Sequence, residues 1–303
     1  HDKAVIFREL IFISVPYLLS AVFGYSDSII NSFILKSGME AYYMANGYGV
    51  EADGVMALNE LANAQMTVII GAINYGVLKL MSIPMVLAPG FSSAILPHIT
   101  SALAVKNFKL VQKNIRDCIE TVLYIALPLC FCLFVYAKPI YSILFPPAAY
   151  PENAALADQI LSAEQSLDLC VEVLKWFSIE AFISTMAPIL ASLMMAVEYR
   201  TLYIKILAGC VGVKFLVAYP LLRLFGYPGL IFSSIISMGL LLGLDFFILS
   251  RRFAIQWKTT LRRTIVMAGG LLCIWAVALA CNWIGLKGYG SGRMMGIIQL
   301  GIN

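Results

Sequence analysis

The sequence predicts an all-α, polytopic transmembrane helical bundle, because long apolar runs fill most of its 303 residues. The run from Leu80 to Val105 contains no Asp, Glu, Lys or Arg, and at about 1.5 Å per residue it is longer than the roughly 30 Å hydrocarbon core of a bilayer. Charged residues make up 13% of the chain, about half the share of soluble domains, and 61% is hydrophobic. These observations exclude a soluble globular fold.

Seven apolar segments are long enough to be predicted as membrane spans. In chain order they cover residues 5–35, 64–105, 118–145, 174–197, 202–222, 228–249 and 264–286. The longer connections, 36–63 and 146–173, contain Gly, Asn, Pro and acidic residues, and neither has room for a separate domain. We therefore expect residues 1–303 to form a single transmembrane domain.

The basic residues predict the orientation of this domain. Of the 21 Lys and Arg residues, thirteen fall in loops on the side of the N-terminus, and cytoplasmic loops are enriched in positive charge. The connection 146–173 has acidic residues but no Lys or Arg, which suits the outer face. We expect a multi-pass protein of the bacterial plasma membrane whose N-terminus here is cytoplasmic. The net charge of +4 reflects this bias and does not indicate a nucleic-acid partner.

Charged residues inside predicted spans are candidate functional residues, because each costs several kcal/mol at the bilayer centre and tends to face a cavity or a partner. We single out five of them: Asp27, Lys79, Glu180, Lys214 and Asp245. Glu180 is expected at the outer interface. Lys214 and Asp245 lie toward the middle of neighbouring spans, where they are expected to form an intramembrane charge pair that either holds helices together or contacts substrate. The alternative for Asp27 and Lys79 is hydration at, or snorkelling to, an interface.

Lys79 lies in a polar stretch of the second span. Asn74 and Tyr75 come about one turn before it, and Pro84, Pro89 and Gly90 follow. A proline removes a backbone donor and favours a bend, so these three residues are expected to act as a hinge. Irregular backbone at membrane depth is tolerated where it lines protein or water, which is typical of a transport path.

Other chemistry is not indicated by the motifs. The seven cysteines show no CxxC spacing, and with only two histidines they are interpreted as apolar packing residues, with no metal site. Gly239 and Gly243 form a GxxxG pattern, a weak indication of close helix packing. The sequence has no P-loop, GxSxG or HExxH motif. We therefore expect no enzyme, and three classes remain: a transporter that does not use ATP, a channel, or a membrane scaffold.

Several stretches of the chain resemble a known superfamily. They include the LPHIT of 96–100 before a basic loop, the LP of 127–128, the PIYSILF of 139–145, the opening 7–30, and the segment 186–237. In these stretches the chain is similar to the multidrug/oligosaccharidyl-lipid/polysaccharide exporter superfamily. Within it, the resemblance is to the MurJ-like lipid II flippases and the stage V sporulation protein B group.

The resemblance implies an architecture. Members have two six-helix bundles that face each other across a cavity for lipid headgroups. The seven spans here then correspond to the second bundle and one further helix, and the N-terminal bundle, a partner of this half, is absent from the sequence. A cavity arginine in a DRLMEFP-like motif of the flippases matches Lys79 in LKLMSIP, with Leu78 and Ser82 in place of its acidic neighbours. Lysine keeps the positive charge for a diphosphate but lacks the fork of arginine.

The resemblance also implies a function. We expect a flippase that moves a lipid-linked oligosaccharide, the peptidoglycan precursor lipid II, from the cytoplasmic to the outer leaflet by alternating access. Lys79, Asp27, Asn74 and Tyr75 are the expected substrate-binding residues, and no cofactor is expected beyond a possible coupling ion. The alternatives are a flippase for an O-antigen or teichoic-type polysaccharide lipid, and a multidrug/cation antiporter, for which Asp27 and Asp245 matter most.

Overall fold

The computed structural model describes residues 15, 18, 22, 29–52, 55–145, 161–255 and 257–283. Its helices are α1 (residues 29–45), α2 (Glu60–Gly71), α3 (Leu78–Ala104), α4 (Phe108–Val135), α5 (Ala137–Leu144), α6 (Ala163–Ala196), α7 (Arg200–Phe225), α8 (Tyr227–Phe253) and α9 (Lys258–Trp283). A π-helical turn, Ala72–Val77, joins α2 to α3. A two-stranded antiparallel hairpin, β1 (Gly49–Ala52) and β2 (Val55–Leu58), precedes α2.

Five helices of the described chain are long and apolar enough to cross a membrane, which confirms the predicted all-α membrane bundle. They are Glu60–Val86, Phe108–Val135, Ala163–Ala196, Arg200–Phe225 and Tyr227–Phe253. Most of the first predicted span lies outside the described residues. Over the seventh predicted span the chain is helical to Trp283, and residues 284–286 are again outside the described part.

Local sequence determines where several helices begin. Asn59 accepts a hydrogen bond from the Ala62 amide at 2.8 Å and starts α2. Ser162 and Gln165 form a capping box at the start of α6. Each such cap satisfies backbone donors that the first turn leaves open, typically worth about 1 kcal/mol. Gly226 separates α7 from α8 with φ of 69°, a conformation that glycine adopts without a steric penalty.

Helix α6 is the centre of the bundle, because α3, α4, α5 and α8 all pack on it. Its first half contributes Cys170, Leu174 and Phe177 to one apolar core, and its second half contributes Ile189 and Leu193 to another. The two cores therefore follow each other along the length of α6. The burial of cysteines agrees with their prediction as packing residues, since Cys118, Cys130, Cys170 and Cys210 are buried.

Two of the basic segments that were assigned to the same side of the membrane, the one after α3 and the one after α8, contact each other in the structure. At the basic end, the Gln112 side-chain amide donates to the Ala254 carbonyl at 2.9 Å, and the Phe108 and Phe253 rings are 6.5 Å apart. At the other end, the Tyr43 hydroxyl donates to Gln65 Oε1 at 3.4 Å. The bundle thus has one basic end and one end that carries the hairpin.

Helices α7 and α8 pack tightly at a glycine that the sequence analysis did not single out. A Cβ added to Gly229 would lie 2.0 Å from the Leu221 carbonyl oxygen, whereas one added to Gly239 or Gly243 would meet nothing within 4 Å. Among the described residues, the GxxxG pattern therefore does not mark a close contact, and its interpretation was wrong. The close approach follows the turn at Gly226 instead.

Candidate substrate-binding face

Lys79 is the second residue of α3, and its side chain is exposed. No ion pair joins its ammonium group to any carboxylate of the described residues. The sequence has no Asp or Glu between positions 61 and 116, so the helix that carries Lys79 offers it no acidic partner. The positive charge is therefore available to an anion outside this helix.

Asn74 and Tyr75 are exposed, as Lys79 is. Both belong to the π-helical turn, and Tyr75 is 56% exposed. An amide, a phenol and an ammonium group are thus all exposed between Asn74 and Lys79, and their role in substrate binding stays a prediction. Each is a hydrogen-bond donor, and the amide and phenol oxygens can also accept.

The hinge residues Pro84, Pro89 and Gly90 lie further along α3, where the chain is helical throughout. The departure from regular α-helix falls before Lys79, at Ala72–Val77, and not at the prolines. Pro84 is buried, whereas Gly90 is exposed, and a Cβ added to it would meet nothing within 4 Å. Their role as a hinge stays a prediction.

Asp27, the fourth predicted substrate-binding residue, lies outside the described residues. Beyond Lys79 the same face becomes apolar, since Ile83 is 52% and Val86 is 70% exposed. The face therefore changes from polar to apolar just after Ser82, whose hydroxyl donates to the Lys79 carbonyl at 2.6 Å. A face of this kind matches a ligand with a polar head and an apolar tail.

The structure does not bring Lys214 and Asp245 together as an ion pair. Lys214 is buried in α7, and its Nζ donates to Ser234 Oγ of α8 at 2.8 Å. Asp245 is fully buried, and neither of its carboxylate oxygens has a hydrogen-bond partner among the described residues. Glu180, which was expected at an interface, is also buried, with 5% of its surface exposed. These groups are enclosed between helices and do not line the exposed face.

One cluster of charged residues was missed by the sequence analysis. Glu120 of α4 is buried and accepts hydrogen bonds from Thr260 Oγ1 at 2.7 Å and from Arg263 Nη1 at 2.5 Å. Arg116, one turn earlier in α4, lies 3.8 Å away. The cluster attaches the first turns of α9 to α4. The sequence did contain a signal for this cluster: Glu120 lies four positions after Arg116, at the start of an otherwise apolar segment.

The described residues contain no group of three or more His, Cys, Asp or Glu side chains that could hold a metal ion. The fold and this face define a multi-pass helical membrane protein with a cationic, hydrogen-bonding surface on a membrane-spanning helix.

Comparison with known proteins gives the family. The family model described as lipid II flippase MurJ matches residues 41–289, which is most of the chain. The chain therefore belongs to the MurJ lipid II flippase family, whose members are transporters of the bacterial plasma membrane.

One curated relative shows how far the match extends. The lipid II flippase MurJ of Bacillus subtilis (strain 168) is 22% identical over 190 residues, which are 62% of this chain and 32% of the relative. The match thus spans about a third of the relative's length. No solved structure matches the chain.

Proposed function

We propose that this chain takes part in moving lipid II, or a closely similar lipid-linked oligosaccharide diphosphate, from the cytoplasmic to the outer leaflet. The family supports this function, and the observation that carries it is the exposed Lys79 with no ion-pair partner among the described residues. In this proposal the Lys79 ammonium group neutralises the diphosphate. Asn74, Tyr75 and Asp27 hydrogen-bond the polar headgroup.

The chemistry of Lys79 suits this role. A charge-assisted hydrogen bond from an ammonium to a phosphate oxygen is roughly twice as strong as a neutral one. A lysine donates as a point charge, so it tolerates a diphosphate that rotates as it crosses the membrane, whereas arginine favours one bidentate geometry. The apolar face beyond Ser82, with Ile83 and Val86, supports contact with the lipid chain.

The architecture that we propose is the second six-helix bundle of a two-bundle transporter plus one further helix, with the exposed face of α3 turned toward the first bundle. The N-terminus of this segment is placed in the cytoplasm, in accordance with the basic end of the bundle. Pro84, Pro89 and Gly90 allow α3 to bend between inward-open and outward-open states, and an ion gradient or the membrane potential drives the cycle. The protein moves its substrate without chemical conversion.

The rival functions are less well supported. A cation antiporter needs a carboxylate that faces its cavity; of the two that were named for it, Asp245 is fully buried and Asp27 lies outside the described residues, while the exposed group on α3 is the cation Lys79. A scaffold would leave its intramembrane charges enclosed by protein, and Lys79 is exposed. A flippase for another polysaccharide lipid remains the alternative, because it would present the same diphosphate to Lys79.

Complementation tests the proposal. The gene that encodes this chain is expressed in bacteria depleted of their own lipid II flippase, beside its Lys79→Ala and Lys79→Arg variants, with membrane expression checked for each. We expect growth with the wild type and with Lys79→Arg, and no growth with Lys79→Ala. No rescue by a well-expressed wild type would contradict lipid II as substrate. Equal rescue by all three would contradict the role of Lys79.

A further inference from the structure

The exposed face of the second span follows an unusual spacing. Asn63, Thr67, Gly71, Tyr75 and Lys79 are each four residues apart, and all of them are exposed or half-buried. The residues between them include a buried set that packs into the bundle: Ala64, Met66, Val68, Ile69, Ala72, Ile73, Gly76 and Val77. A single face therefore continues from the start of α2 to Lys79.

In a regular α-helix, residues at this spacing would not stay on one face. Each residue of an α-helix advances by about 100°, so the sixteen steps from Asn63 to Lys79 would end about 160° beyond four complete turns. Asn63 and Lys79 would then lie on nearly opposite sides. The π-helical turn Ala72–Val77 has the effect of one inserted residue, which removes about 100° of this drift. The remaining offset of about 60° leaves both side chains on one face.

Packing on the buried side holds the π-helical turn in place. A Cβ added to Gly76 would lie 2.7 Å from the hydroxyl oxygen of Tyr141, which is itself 1% exposed. Ala72 and Val77 are fully buried at the two ends of the turn. π-helical turns are rare in proteins, and those that occur are frequently found at functional sites. Here the geometric consequence of the turn is the alignment of polar side chains before and after it.

The aligned side chains share one kind of chemistry. They offer an amide at Asn63, a hydroxyl at Thr67 and a phenol at Tyr75, and Asn74, the exposed neighbour of Tyr75 in the π-helical turn, adds a second amide. Thr67 Oγ1 donates to the Asn63 carbonyl at 2.8 Å, which leaves its oxygen lone pairs for a ligand donor. Hydrocarbon would not solvate such groups, so this face meets water, protein or a polar ligand. Groups of this type exchange hydrogen bonds with hydroxyls and amides.

We propose that Asn63, Thr67, Asn74 and Tyr75 form a binding track for the sugar and peptide part of a lipid-linked headgroup, with Lys79 at its inner end for the diphosphate. This inference rests on the proposed function and adds Asn63 and Thr67 to the site. The π-helical turn is the positioning element, because it places the outer two residues in line with the inner ones. The headgroup leaves toward the hairpin end of the bundle along this track.

Cysteine labelling tests the track without relying on transport. Asn63→Cys and Thr67→Cys variants are exposed in sealed vesicles to a maleimide that does not cross membranes, with Ala64→Cys and Met66→Cys as buried controls at the same depth. The unmodified protein gives the baseline, because Cys273 is exposed. We expect the track positions to react at least about tenfold faster than the controls. Equal rates at all four positions would overturn the track.

Protection by ligand tests what the track binds. The labelling of Thr67→Cys is repeated in phosphatidylcholine vesicles that contain lipid II, or undecaprenyl phosphate as a lipid without sugar and peptide. Leu61→Cys serves as an exposed control off the track, since Leu61 is 40% exposed. We expect lipid II to slow the labelling of Thr67→Cys about fivefold or more and to leave Leu61→Cys unchanged.

Two results separate this inference from the proposed function. Fast labelling of Thr67→Cys without protection by lipid II, in a protein that rescues growth, would overturn the track and leave the flippase function intact. Protection by lipid II in a protein that does not rescue growth would support the track and contradict transport. Equal protection by undecaprenyl phosphate would overturn the assignment to sugar and peptide.

Discussion

Two lysines within membrane-spanning helices, Lys79 and Lys214, have opposite surroundings. Lys79 is exposed on a face with Asn74 and Tyr75, on a stretch of chain without acidic residues. Lys214 is 1% exposed and donates from α7 to Ser234 of α8 at 2.8 Å. In the sequence, each of them is a lone lysine within an apolar run. Burial and hydrogen-bond partners, and not membrane depth, therefore separate a lysine that can bind a ligand from one that joins two helices.

The helix pair around Lys214 gives the largest expected effect. Gly229→Ala would place a Cβ 2.0 Å from the Leu221 carbonyl oxygen, so α7 and α8 must separate. We expect a loss of about 3 kcal/mol in the free energy of unfolding, whereas Gly243→Ala, which meets nothing within 4 Å, has little effect. Thermal unfolding in detergent measures both. Equal stability of the two variants would show that α7 and α8 are not tightly packed at Gly229.

Truncation of Lys214 has the next largest expected effect on stability. Lys214→Ala removes a fully enclosed side chain and leaves a cavity, for an expected loss of about 2 kcal/mol. Lys214→Met fills most of the same volume without a charge, so its stability is expected close to that of the wild type. Denaturation in detergent compares the two variants. Loss of transport in a stable Lys214→Met variant would show that Lys214 is needed for transport, as Lys79 is proposed to be. It would contradict a purely structural role for Lys214.

The π-helical turn next to Lys79 is tested by a glycine pair. Gly76→Ala forces the buried Tyr141 to shift, and we expect a loss of about 1.5 kcal/mol together with weaker flipping. Gly71→Ala meets nothing within 4 Å and is expected to be neutral or slightly stabilising, because alanine favours helix. Unfolding and flipping are measured on both. A Gly76→Ala variant as stable as Gly71→Ala would show that packing on Tyr141 does not hold the turn.

The smallest effect on stability is expected at Lys79 itself. Lys79→Ala removes an exposed side chain with no ion pair among the described residues, so the free energy of unfolding should change by less than about 0.5 kcal/mol. The melting temperature in detergent, measured beside Lys214→Ala, checks this. A loss as large as that of Lys214→Ala would indicate that Lys79 is also a structural residue.

The sequence predicted the membrane part of the fold well, because hydropathy reports directly on burial in lipid. It predicted helix ends less well, since α4 begins at Phe108 and α6 at Ala163, both well before the predicted spans 118–145 and 174–197. These extensions carry Lys, Arg, Asp and Glu, which end a hydropathy run without ending a helix. Caps such as Ser162 with Gln165 mark the true start.

The candidate site was predictable in part. Lys79, Asn74 and Tyr75 were identified from their position in an apolar span, and all three side chains are exposed in the structure. The π-helical turn was not predictable, because it depends on the tertiary contact of Gly76 with Tyr141. The expected pairing of Lys214 with Asp245 was not found, because sequence spacing does not say which faces of two helices meet.

The role of Lys79 is tested by measuring the movement of lipid II across the membrane of vesicles reconstituted with the purified protein. Lys79→Ala should slow flipping at least about tenfold, as expected for the loss of one charge-assisted contact. Lys79→Arg and Lys214→Met should retain most of the wild-type rate. Wild-type flipping by a correctly reconstituted Lys79→Ala variant would contradict the central claim that this exposed lysine binds the diphosphate.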